Sequence, residues 1–188
     1  IVNIVLSDGN IKLFSDLIDI SKEKYSNETE AREDEIAKNT NWNFPESLTF
    51  AGDYFKLKTK KSVMQPFYYD YKWKTEEKFI ELIDKSKKIH FWFKNGDRDQ
   101  TFFSIPYKLK KQINLFYVDF IVKFKSGKIG LYDTKSGITI DQSKEKNDGL
   151  QKYISSHKNL IGGIVTNNDP NNFKGRWLFY NGEGKSLN

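Results

Sequence analysis

Residues 115–124, LFYVDFIVKF, are apolar at nearly every position and carry one carboxylate, Asp119, at their centre. A strand that is apolar on both sides must be covered on both sides, so this run demands a sheet enclosed between layers. Ser126 and Gly127 then turn the chain into residues 128–135, KIGLYDTK, which return as the second strand of a hairpin. Strand side chains alternate, so Ile129, Leu131, Asp133 and Lys135 share one face, and Gly130, Tyr132 and Thr134 the other. Asp133 and Lys135 thus project side by side at the end of a buried stripe, with Asp119 on the partner strand.

The flanking pattern supplies the layers. Thr75 reads as the N-cap of a helix running to about Ser86, with Phe79, Ile80 and Ile83 as its apolar stripe. Glu76 lies three, four and seven residues before those positions and shares their inward face, whereas Glu77 lines up with Glu81 and Asp84 on the polar face. Strands are expected over 89–94 (IHFWFK) and 101–107 (TFFSIPY), joined by a hairpin-type turn at Asn95-Gly96-Asp97, with Pro106 marking an edge. A helix over 142–156 and strands over 160–166 and 176–181 complete an α/β fold, a mixed central β-sheet flanked by helices. Ahead of it, a strand over 1–6, a turn at 8–10, a helix over 11–25, a solvated acidic run at 28–35 and a connection over 39–52 are expected. The expected division is an N-terminal extension or connector, residues 1–66, and a domain carrying the site, residues 67–188.

Composition narrows the chemistry. The 188 residues include no cysteine, which excludes a disulfide scaffold, a Cys-ligated zinc and a thiol nucleophile. His90 and His157 are the only imidazoles, so a metal here would be held by carboxylate oxygens and would be a hard ion. Residues 1–50 hold 5 basic against 10 acidic side chains, and residues 51–188 hold 26 against 15. The larger part is a candidate for binding a polyanion, or simply a solvated lysine surface. Only Arg32, Arg98 and Arg176 are arginines, so nucleic-acid contacts are expected to be mostly to the backbone. Residues 54–73 interleave aromatic and basic positions, a pattern that either stacks bases and holds phosphates or packs as an arm across the next domain. No apolar run reaches the roughly 18 residues of a membrane span, and no signal-peptide pattern is present, so the expected location is cytoplasmic. A chain opening at Ile1 without Met is expected to be a fragment of something longer.

Three carboxylates and a lysine converging on a partly buried site repel and desolvate one another unless a cation offsets them. Mg²⁺, with Mn²⁺ as a substitute, takes one or two carboxylates plus water and phosphate oxygens and acidifies a bound water. The reaction class implied is phosphodiester hydrolysis. A helix with an inward Glu, an apolar strand with a central Asp, a short turn, a strand ending in Asp133-Thr134-Lys135, then helix and strand, is the order of the PD-(D/E)xK nuclease superfamily. From about Pro66 to Asn167 the chain resembles the C-terminal endonuclease domain of type III restriction enzymes and related DEAD/DEAH-box helicase subunits, through QPFYYDYKW, TEEKFIELID, FYVDFIVKFKSGKIGLYDTKSG and LQKYI.

The resemblance implies a restriction-endonuclease-like core and a Mg²⁺-dependent DNA endonuclease. Asp119 and Asp133 would be metal ligands, Glu76 a further carboxylate at the metal, and Lys135 the residue that positions water. Gln151, on the helix after the D-T-K strand, would be a supporting polar group. The implied partners are double-stranded DNA, the rest of a helicase or translocase chain and a methyltransferase subunit, with no membrane. Val118 stands where that family usually has proline, and no phosphate-binding G-x-x-x-x-G-K-[ST] loop occurs. Two other readings stay open: a catalytically inactive DNA-binding domain of the same fold, and a scaffold that contacts a methyltransferase subunit through residues 1–50.

Overall fold

The computed structural model describes residues 12, 16–21, 42–50, 52–70, 73–97, 101–109, 112–136, 143–180 and 186–187. The strand expected over 1–6 and the acidic run at 28–35 lie outside them; of the helix expected over 11–25, residues 12 and 16–21 are helical. The chain forms two compact units, residues 1–42 with 108–114, and residues 43–107 with 115–188. None of the helices among the described residues is long and apolar enough to cross a membrane.

The elements in order are β1 (Phe55–Leu57), β2 (Phe67–Tyr69), α1 (Lys74–Lys85), β3 (Ile89–Lys94), β4 (Ile105–Leu109), β5 (Gln112–Phe116), β6 (Phe120–Phe124), β7 (Ile129–Thr134), α2 (Lys144–Ser155), β8 (Leu160–Asn167), β9 (Trp177–Tyr180) and β10 (Ser186–Leu187). Six strands form one mixed sheet in the order β10-β9-β8-β7-β6-β3. The β7–β8 pair is parallel and the other pairs are antiparallel. The parallel pair needs a crossover, and α2 with its flanking loops supplies it.

The sheet is buried on both faces, as the apolar hairpin requires. Toward α1 stand Trp92, Phe120, Val122 and Tyr132, which meet Phe79, Ile80 and Ile83 of the helix. On the other face Phe93, Ile121, Leu131 and Ile164 are buried. The Phe79 ring lies 5.1 Å from Phe120 and 5.6 Å from Tyr132, and burying an aromatic side chain of this kind is worth about 1.5–3 kcal/mol. At Gly162 the strands β7 and β8 approach so closely that a Cβ would meet the Leu131 carbonyl oxygen at 2.0 Å, and φ is +131°, so glycine is needed there on both counts.

Three local expectations are corrected. Helix α1 begins two residues earlier, with Trp73 at the N-cap in place of Thr75 and no side-chain cap, so Thr75 lies inside its first turn. Asn95-Gly96-Asp97 closes no hairpin: β3 pairs with β6, while β4 and β5 pair with each other in a separate two-stranded sheet. The run 115–124 is not one strand either. It breaks after Phe116 and resumes at Phe120, so Asp119 sits at the head of β6 and not at a strand centre.

One buried side chain accounts for both of the latter changes. Asn95 Nδ2 donates to the carbonyls of Phe103 (2.8 Å) and Val118 (3.0 Å), and its Oδ1 accepts from the Phe103 N–H (3.1 Å). Its backbone N–H donates to the Asp119 carbonyl at 2.8 Å. The side-chain bonds take up the Val118 carbonyl and the Phe103 backbone groups, which a ladder would otherwise use, whereas the Asn95–Asp119 backbone bond extends the β3–β6 register by one rung.

Candidate active site

The site forms where β3, β6 and β7 end beside the first turn of α1. Glu76 lies on the inner face of α1, three residues before Phe79, and its Oε2 is 3.1 Å from Lys94 Nζ. Lys94 is the last residue of β3, two beyond buried Trp92 and so on the same face. Its ammonium is also 3.4 Å from Asp119 Oδ1 and lies 5.1 Å from the centre of the Phe120 ring. A lysine thus stands between two of the three carboxylates.

The other oxygen of Asp119, Oδ2, accepts from the Thr134 N–H at 2.7 Å and the Thr134 hydroxyl at 2.8 Å. The β6–β7 register would set Thr134 opposite Val118, whose carbonyl is turned to Asn95, and the Asp119 carboxylate satisfies the Thr134 N–H in its place. Asp119 is thereby fixed to β7 immediately beside Asp133.

Asp133 and Lys135 project together. Lys135 Nζ lies 2.6 Å from Asp133 Oδ2. That contact is a charge pair, and Oδ2, on a side chain only 2% exposed, meets no other donor among the described residues. A buried carboxylate oxygen left in this way is costly unless something else engages it.

The electrostatics follow from these contacts. Burial, then the charge of Asp119, pushes the Asp133 carboxyl up to about 7. Burial also raises Glu76, against the pull of Lys94. Burial would raise Asp119 as well, but Lys94, then Lys135 and the two Thr134 donors, together hold it below the ordinary carboxylate value. Lys94 and Lys135 lose solvation, yet the carboxylates facing them keep both ammonium groups charged. Neighbouring carboxylates driven apart in this way are a common mark of functional sites, and structural ion networks produce the same pattern.

An open cleft of about 920 Å³ lies over the group, walled by Glu76, Asp119, Thr134 and Lys135 and by Lys74 and Lys146. Asp119 lines the cleft, with its Oδ1 3.4 Å from Lys94 Nζ, whereas Asp133 does not: its Oδ2 is buried against Lys135 just behind the cleft wall. Among the described residues no three carboxylate or imidazole side chains gather into a complete cage. Two carboxylates with water and substrate oxygens fit Mg²⁺, which rarely uses an all-protein cage.

Of the residues singled out on sequence, Glu76, Asp119, Asp133 and Lys135 come together. Gln151 does not join them: its Nε2 donates to the Gly162 carbonyl at 3.3 Å, and it lines a separate cavity with Asn147, Phe179 and Tyr180. Lys94, Asn95 and Thr134 were missed. The signal for Lys94 was present, because in IHFWFK it falls on the same strand face as Trp92 and so cannot be an ordinary solvated lysine. Asn95 carried only a turn signal, and Thr134 matters through its backbone as much as its side chain. Comparison with protein-family models, with curated proteins and with solved structures finds no match to this chain.

Proposed function

We propose that this chain is the Mg²⁺-dependent endonuclease domain of a type III restriction-like or helicase-associated protein, with a restriction-endonuclease-like core, hydrolysing phosphodiester bonds in DNA. The observation that carries the reading is the buried Asp133–Lys135 pair set beside Asp119, with Asp119 and Lys135 both lining an open cleft. Asp119 and Asp133 hold the cation. When bound, Mg²⁺ polarises a phosphate oxygen and acidifies a water. Lys135 orients that water and offsets charge that develops on the phosphorus oxygens. Lys74 and Lys146 bind backbone phosphates as point charges. Glu76 acts indirectly, by holding Lys94 against Asp119.

Lys94 favours a second reading. An ammonium already lying between Glu76 and Asp119 can neutralise them without a metal, as it would in an inactive DNA-binding domain of the same fold. Nicking of supercoiled plasmid in Mn²⁺, with EDTA and Asp133→Ala controls, separates the two. Metal-dependent nicking that falls at least about a hundredfold in the variant supports the nuclease. Salt-sensitive DNA binding that is indifferent to divalent ions, without nicking, supports the inactive domain.

A further inference from the structure

A second cavity, of about 360 Å³, shares a wall with the cleft: Trp73, Glu76 and Asp119 line both. Its own walls are aromatic, with Phe50, Tyr54, Tyr68, Tyr69, Phe102 and Tyr117 around it. Part of it is built by the segment whose aromatic and basic residues alternate. Phe50 packs against Tyr54 at 5.1 Å and Tyr68 at 5.7 Å, which fixes that wall. Three of these rings remain open to solvent: Trp73 is 61% exposed, Phe50 43% and Tyr54 41%. Exposed aromatics gathered around one concave opening mark a binding site more often than an accident of packing.

The charge around the two spaces selects the occupant. Among the described residues the aromatic cavity is edged by Asp70, Glu76, Asp97 and Asp119 against a single lysine, Lys94, a balance that disfavours a phosphate. The adjoining cleft carries Lys74, Lys135 and Lys146 and favours one. A nucleotide divides itself along the same line, into a flat uncharged ring with polar edges and an anionic backbone. We propose that the aromatic cavity takes an unstacked nucleobase whose phosphate lies across the shared wall, in the cleft beside Asp119.

This rests on the nuclease reading for the role of the cleft, but the base site stands on its own lining. A base inside a continuous duplex cannot enter such a cavity without leaving the stack, so the preferred strand is a single-stranded, frayed or extruded one. Double-stranded DNA is then bound mainly through its backbone.

The test is binding by the full chain in EDTA of a single-stranded 12-nucleotide DNA carrying one 2-aminopurine, compared with the same strand in duplex. The expected result is tighter binding of the single strand, with the 2-aminopurine fluorescence quenched by stacking. Trp73→Ala is expected to weaken single-strand binding about tenfold or more, and Trp73→Phe to restore most of the loss. Tyr54→Ala, at a ring that lines the aromatic cavity and not the cleft, should act in the same direction while leaving duplex binding unchanged, and guards against a folding defect in one variant. Equal affinity for the two forms, or single-strand binding untouched by both alanine variants, overturns the proposal. Because no metal is present, the base site survives a failure to nick plasmid; conversely, intact nicking with no single-strand preference removes the base site and leaves the nuclease.

Discussion

The two ends of α1 put carboxylates to opposite uses. Near its C-terminus Asp84 accepts from the Trp92 indole at 3.0 Å and the Lys61 N–H at 2.9 Å through Oδ1, while Oδ2 accepts from the Lys60 N–H at 3.0 Å. Both oxygens are matched by donors, and the bonds tie the 60–61 segment and the fully buried Trp92 to the helix. At the N-terminal end, Glu76 and its neighbours meet mainly lysines, and the Asp133 Oδ2 meets the Lys135 ammonium and no other donor among the described residues. A carboxylate that serves the fold is saturated with hydrogen bonds. One that serves chemistry is held in place with an acceptor left over.

That contrast makes its largest prediction at Asp133. Asp133→Asn removes the charge while keeping the shape, so it is expected to abolish metal-dependent nicking, a loss of at least about a hundredfold. The same change should leave the protein as stable as the parent or more so at pH 8, because a buried, poorly matched charge is gone. Urea unfolding beside the plasmid assay reads both. An Asn variant that is inactive and also markedly less stable would mean that Asp133 is a structural carboxylate like Asp84.

Asp84→Ala is the reciprocal case. It strands the indole N–H of a buried tryptophan and two backbone N–H groups, which should cost about 2–4 kcal/mol in urea unfolding. Nicking per folded molecule should be preserved, since Asp84 lies two helical turns from Glu76. A stability loss under about 0.5 kcal/mol would break the comparison from its structural side.

How much of this could be read from the sequence depends on the reach of each interaction. The hairpin of β6 and β7, the inward face of α1 and the side-by-side Asp133 and Lys135 follow from strand and helix periodicity over a few residues, and all three appear. What periodicity could not supply was the partner of β3. Asn95-Gly96-Asp97 has the local chemistry of a hairpin turn, but the Asn95 side chain is engaged by Phe103 and Val118, the latter 23 residues away. The break before Asp119 has the same cause, since an apolar run gives no sign that one of its carbonyls will be claimed from outside the ladder. Gln151 failed for a different reason. Its helix was read correctly, but position along a helix does not fix which end of the sheet a side chain reaches.

A subtler consequence concerns pH. The Asp133 carboxyl is raised from 3.8 to about 7 in the folded state, so between about pH 4 and pH 7 the folded protein binds more protons than the unfolded chain. Stability should therefore decline as pH rises through that window and level off above it, by an amount on the order of 2 kcal/mol once coupling to Asp119 and Lys135 is allowed for. Glu76, also raised, adds in the same sense. Asp119 is held below its ordinary value and works the other way, contributing stability that is lost only as the pH falls below about 4. Urea midpoints from pH 4.5 to 8 are expected to fall for the parent and to flatten in Asp133→Asn. A parent midpoint that rises steadily over the same range would place a charged, stabilising carboxylate at 133 and remove the basis for its functional assignment.

The smallest effect belongs to the middle of α1, between the two contrasted ends. Glu81 is 39% exposed and pairs with Lys78 and, at 3.5 Å, with Lys85. Lys78 holds the Glu81 carboxyl below its ordinary value. A carboxylate that stays in water gives up little solvation and gains little from its partners, so the direction of that shift is a poor measure of what the pair contributes. Glu81→Gln should change stability by less than about 0.5 kcal/mol, and even that difference should shrink in 1 M salt, where charges more than about 3 Å apart are screened. Asp84 and Glu81 stand on one helix, three residues apart, and differ in whether their donors are fixed backbone and indole N–H groups or mobile ammonium tips. A Glu81→Gln cost as large as that of Asp84→Ala would show that charge pairing, and not the saturation of buried acceptors, is what these carboxylates contribute to the fold.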